Sequence, residues 1–271
     1  MMRFDFTIGG VSFNAEATLV IILGTILPML DWYGHSPAGW LFNTLGWDTI
    51  THVKAYDRIV YYLLIPLLVI VGVLWERPAD YGFQLGNWRE GLMWTVIGCV
   101  GMSIILWFVA RSAGMQGYYT TRAPENPWFL VYITGVDLLG WEFIWRGLLL
   151  FALAKTLGPG PAIFIQAIPF AFMHLGKPEI ETLSTIFGGA AFGFVAWRTN
   201  SFAYPFLIHW YIASFTQLIA LGRISIKIIA YCILRSGSKK LLCNTQYEIH
   251  CYVYTQTKTN NDGSGWFCSR P

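Results

Sequence analysis

The sequence predicts an all-α fold, a polytopic membrane helix bundle with about seven transmembrane helices. Three observations predict it. Of 271 residues, 55% are hydrophobic and only 12% charged, where a soluble domain carries roughly 25% charged residues. The mean hydropathy is +0.49. Apolar runs of about 17 residues or more recur along the chain, a length that reads as a membrane span. The 17% aromatic content suits a bilayer protein, since Trp and Tyr gather at the lipid–water interface. The net charge is only +3, with no basic run interleaved with aromatics, so nucleic acid is not expected as a partner.

The elements follow in order. Residues 1–16 form a short amphipathic or extended lead-in. Helix one covers 17–33, with a kink at Pro28. It follows the acidic Glu16 and lacks both a basic flank and a small-residue cleavage site, so it reads as a retained helix. A loop, 34–58, precedes helix two at 59–75, and "AYDRIVYY" at 55–62 reads as an interfacial anchor. "ERPADYGFQLGNWREG" is a polar connector broken by Pro78 and three glycines. Helix three covers 92–110 and helix four 127–157, where "GPGP" stops it. Helices five, six and seven cover 162–175, 183–197 and 203–221. The bundle is therefore expected to occupy 17–222. Beyond it, 223–271 loses periodicity and is expected to stand apart from the fold. That tail holds four of the five cysteines, Cys232, Cys243, Cys251 and Cys268, while Cys99 lies in helix three. No Cys-x-x-Cys pair or paired-His spacing supports a zinc finger.

Ionisable residues inside predicted spans mark a candidate site, because burying one costs roughly 2.5–3.5 kcal/mol on insertion scales. Four stand out: Glu142, Arg146, His174 and His209. They fall on three predicted helices that can converge in a bundle. Glu142 and Arg146, at i and i+4, share a helix face and can pair. Neutralising each other is one role. Together with two histidines, the carboxylate also matches the needs of general-base hydrolysis, of a metal site with Glu and His ligands, or of a proton relay. A site-2-type zinc protease is disfavoured, because His-Glu-x-x-His does not occur.

"WEFIWRGLLLF" (141–151), "FAFMH" (170–174) and "RTNSFAYPFLIHW" (198–210) occur in that order. In this the chain resembles the CAAX protease and bacteriocin-processing family of intramembrane metalloproteases, related to the type II CAAX prenyl endopeptidases. The resemblance covers about residues 90–220. The family motifs are Glu-Glu-x-x-x-Arg, Phe-x-x-x-His and His-x-x-x-Asn. Arg146 and Glu142 match the first motif, with Trp141 in place of its first Glu, the one assigned to activating water. Phe170 and His174 match the second. His209 matches the third, with Ala213 where the family has Asn.

The resemblance implies an endopeptidase acting on a peptide or protein substrate at the membrane. Glu142 would deprotonate water, His174 orient it, His209 hold the oxyanion, and Arg146 fix Glu142. Phe170, Trp141 and Ala213 would line the substrate cavity. Glu179 and Glu181 stand by as alternative carboxylates. Asp137 is a weaker candidate, projecting about 140° from Glu142 on an ideal helix. If the enzyme is metal-dependent, the ligands would be Glu142, His174 and His209, and the metal zinc. The setting would be a bacterial-type cell membrane, crossed several times. Trp141 and Ala213 keep two other readings open: a catalytically impaired member that binds or chaperones a membrane peptide, and a proton-coupled carrier. The carrier ranks last, because the chain has no internal repeat.

Overall fold

A computed structural model describes residues 5–47 and 52–224. The 223–271 tail, apart from its first two residues, lies outside the described residues. The lead-in is extended: strands β1 (Asp5–Ile8) and β2 (Val11–Asn14) pair antiparallel, with Phe6 opposite Phe13. Nine helices follow among the described residues. They are α1 (Ala15–Trp32), α2 (Pro37–Thr44), α3 (Val53–Gly72), α4 (Trp88–Val109), α5 (Ala113–Thr120), α6 (127–157), α7 (Pro159–Phe172), α8 (Glu179–Thr199) and α9 (Ala203–Ala220). The Asn14 side chain caps α1, accepting from the Ala17 N–H at 2.9 Å.

Four helices, α1, α3, α4 and α8, are long and apolar enough to cross a bilayer. Helices α6 and α9, which hold Glu142, Arg146 and His209, are not among them. The described residues thus give an all-helical membrane bundle without fixing the number of spans at seven. Helix α4 shows its solvent most plainly. Leu92, Val96, Val100, Ile104 and Phe108 are all exposed along it. In water such a stripe would be an association surface; against lipid it is the expected outer face. The chain is an integral membrane protein.

The expected loop at 34–58 is corrected. It contains α2, and α3 begins at Val53, six residues before helix two was expected. Lys54, Asp57 and Arg58 made its first turns look too polar for a span. Distant partners satisfy them instead. Asp57 accepts from the Ser36 hydroxyl at 2.8 Å and the Ala38 N–H at 2.9 Å, fastening the start of α2.

The centre of the bundle is the middle of α6, where Phe143, Ile144, Trp145, Arg146 and Leu148 are fully buried. Here the helix widens into a π-turn, Phe143–Leu149. Such turns interrupt α-helices frequently at functional sites. Helix α3 crosses α6 at Gly140, where any Cβ would overlap the carbonyl oxygen of Arg58. Gly140→Leu is therefore expected to lose about 1–3 kcal/mol through overpacking. Thermal unfolding of purified protein in detergent reads this out, and an unchanged midpoint would show that the crossing is looser.

Candidate active site

The site is assembled from the ends and middles of four helices. Glu142 ends the α-helical first half of α6, and Arg146 lies in the π-turn that follows. Both side chains are fully buried. Arg146 Nε stands 3.3 Å from Glu142 Oε2. The guanidinium also lies over two aromatic faces, 4.0 Å from the Phe170 centroid and 5.2 Å from that of Phe192. Aromatic faces attract a cation, more strongly once it is desolvated.

The other Glu142 oxygen, Oε1, accepts from His209 Nδ1 at 2.6 Å. A carboxylate partner places a proton on Nδ1, and in the neutral ring Nε2 then carries the lone pair. His174, just past the end of α7, is fixed in the same way. Its Nδ1 donates to the Phe170 carbonyl at 2.7 Å, because a carbonyl can only accept. Neither Nε2 has a hydrogen-bond partner among the described residues, and neither is sealed from solvent. Glu142 is the opposite case: Oε2 is sealed and makes no hydrogen bond.

Both histidines line a cavity of about 270 Å³. Its wall also includes Trp141, Asp137, Ala213 and Arg58. Trp141, only 4% exposed, meets the His174 ring edge-on at 5.9 Å between centroids. Phe170 packs against both histidines, at 4.6 Å from His174 and 5.8 Å from His209. Among the described residues, Asp137 is the one carboxylate on the cavity wall.

The alternative carboxylates lie elsewhere. Glu179 is exposed and Glu181 half-buried in the first turn of α8, where acidic groups complement the helix dipole. Glu181 pairs with Lys177 at 2.7 Å and accepts from Tyr119 at 2.7 Å. Burial, then the facing Glu181 carboxylate, holds the Tyr119 phenol well above its ordinary value, so its hydroxyl stays a donor.

Arg58, which the sequence reading placed in an interfacial anchor, lines the cavity. Its Nη1 donates to Asp137 at 2.6 Å and its Nε to Asp31 at 3.2 Å. The guanidinium lies 4.5 Å over the Trp141 ring. The signal that could have found it is the pair Asp57–Arg58 at the head of an apolar run. A charged pair there needs partners from other helices.

The donor set for a metal is thin. Glu142 faces a cation with one oxygen and an imidazole with the other, which leaves the two Nε2 atoms. Among the described residues, no three His, Cys, Asp or Glu side chains group closely enough to hold an ion. With Glu142 committed in this way, the two Nε2 atoms alone fall short of the Glu–His–His set that a metal-dependent enzyme would need.

A family model described as "Type II CAAX prenyl endopeptidase Rce1-like" matches residues 123–215. That stretch holds Glu142, Arg146, Phe170, His174, His209 and Ala213. No curated protein and no solved structure matches the chain.

Proposed function

We propose that the chain is an intramembrane endopeptidase, a reading supported by the match of the type II CAAX prenyl endopeptidase Rce1-like family model to residues 123–215. It sits as a multi-pass protein in a bacterial-type cell membrane and hydrolyses a peptide bond in a membrane-associated substrate. The observation that carries this reading is the 2.6 Å contact of the sealed Glu142 with His209, whose ring lines a cavity together with His174.

The sealed Glu142 cannot touch water, so in this reading it works through His209. The attacking water sits between the two imidazoles. His174 Nε2 accepts one of its hydrogens and orients it. His209 Nε2 takes the other as the water oxygen attacks the carbonyl carbon. The imidazolium that forms is stabilised by Glu142 at Nδ1, the role a buried carboxylate plays in Ser-His-Asp catalysis. Arg146 faces Glu142 as its counter-charge at 3.3 Å. His209 then returns the proton to the leaving amine. Phe170 and Trp141 hold the rings in place and keep the cavity narrow. No step passes through a metal.

The test is a fluorescence-quenched peptide ending in a prenylated Cys, two aliphatic residues and a variable last residue, the CAAX pattern. The purified protein in lipid vesicles is expected to cleave it, and a strong zinc chelator is expected to leave the rate unchanged. Chelator-sensitive cleavage restored by zinc would contradict the metal-free step. A peptide that binds but stays intact would replace the peptidase reading with a peptide-binding one, for which Trp141 and Ala213 are the motive.

A further inference from the structure

Arg58, Asp31, Asp137 and Tyr62 form a partly buried polar network that the reaction above leaves unused. Arg58 sits in the second turn of α3, where Gly140 lets that helix approach α6 closely. Two of its three guanidinium nitrogens are committed, Nε to Asp31 and Nη1 to Asp137. Asp31 is itself only 3% exposed and also accepts from the Tyr62 hydroxyl at 2.8 Å. Lys54 adds a second cation 3.6 Å from the other Asp31 oxygen.

Tying α1, α3 and α6 together explains the two pairs. It does not explain the third nitrogen. Nη2 has no partner among the described residues, yet it is not sealed from solvent. The side chain lines the same cavity as His174 and His209. Arg58 lies over the indole of Trp141, whose ring His174 also meets. A fixed guanidinium with one spare donor is what a developing oxyanion needs, because such donors act strongly when pre-organised in a water-poor site. The other lysines and arginines on the cavity wall are less enclosed: Arg122 is exposed, the Lys54 side chain is 57% exposed and that of Lys177 31%, against 18% for Arg58. Ala213, one turn after His209, offers no side-chain donor.

We propose that Arg58 is a catalytic residue whose Nη2 holds the oxyanion of the tetrahedral intermediate, an assignment that rests on the peptidase reading. As the water oxygen bonds to the carbonyl carbon and its proton passes to His209, the carbonyl π pair moves onto oxygen, where Arg58 receives it. The pair returns as the C–N bond breaks and the proton on His209 goes to the amine. Asp31 and Asp137 are positioning residues that aim the guanidinium.

The experiment uses the full chain in vesicles and the quenched CAAX peptide. Arg58→Ala is expected to lower kcat by about 100- to 1,000-fold, with KM little changed and part of the rate restored by millimolar guanidinium. Since that variant strands two carboxylates, a second carries Asp31→Asn, Arg58→Gln and Asp137→Asn together. It leaves without a partner only Lys54, whose side chain is 57% exposed, and is expected to unfold near the wild-type temperature while losing kcat to a similar extent. Wild-type kcat in either variant would overturn the assignment. So would a defect confined to KM that disappears on a peptide with an amidated C-terminus, which would make Arg58 a site for the substrate's carboxylate. If wild type cleaves the peptide and these variants keep its kcat, only the Arg58 assignment fails. If wild type cleaves nothing, the peptidase reading fails first.

Discussion

Replacing His209 by alanine is expected to lower kcat by about 10²–10⁴-fold, the usual contribution of a positioned acid–base group. His209 is the only group in the proposed step that takes a proton from water and gives one to the leaving amine. Its Nε2 is open to the cavity and its Nδ1 is fixed by Glu142 at 2.6 Å. KM should change little, because the imidazole acts on charge that develops during the reaction and not on bound substrate. His174→Ala removes the group that orients the water and should cost less. The comparison is made on the quenched CAAX peptide, with thermal unfolding run beside it. A folded His209→Ala protein with near-wild-type kcat would remove His209 from the chemistry.

The second large effect falls on stability. Glu142 and Arg146 are a fully buried ion pair. Removing one partner of such a pair typically costs about 3–5 kcal/mol, because an uncompensated charge stays behind. Glu142→Ala and Arg146→Ala are each expected to lose stability of that order. The double change Glu142→Gln with Arg146→Met should recover much of it while remaining inactive. Its long apolar side chain can still fill the space between Phe170 and Phe192, which Arg146 now faces at 4.0 and 5.2 Å. Unfolding in detergent measures all three. A single variant as stable as wild type would show that the pair does not carry the buried charge balance.

Much of the helical framework is visible in the sequence, because hydropathy and helix breakers are local. The helix at 127–157 ends where "GPGP" requires, and α9 begins at Ala203 as expected. Glu142, His174 and His209 stand out for the same reason: an ionisable residue in an apolar run is conspicuous whatever it touches. The structure brings Glu142 and His209 into contact and sets His174 at the same cavity.

What escaped the sequence depends on partners far along the chain. Lys54, Asp57 and Arg58 look like loop residues until Asp31, Ser36 and Asp137 are placed around them. The early start of α3, and Arg58 as a cavity residue, were hidden together by that polarity. Which Glu142 oxygen faces which partner depends on the π-turn that opens just after it, and no local pattern announces that turn. Trp141 was legible as a departure from the motif. Its place as a shared wall between Arg58 and His174 was not, since Arg58 comes from another helix.

The most direct test is to run the reaction of purified wild-type protein with the quenched CAAX peptide in heavy-oxygen water, and to weigh the products by mass spectrometry. Hydrolysis by water held between His174 and His209 predicts two fragments, the amino-terminal one carrying a single heavy oxygen in its new carboxylate, formed about 10²–10⁴-fold more slowly by His209→Ala. Intact peptide from folded wild-type protein, or equal cleavage by the His209 variant, would contradict it.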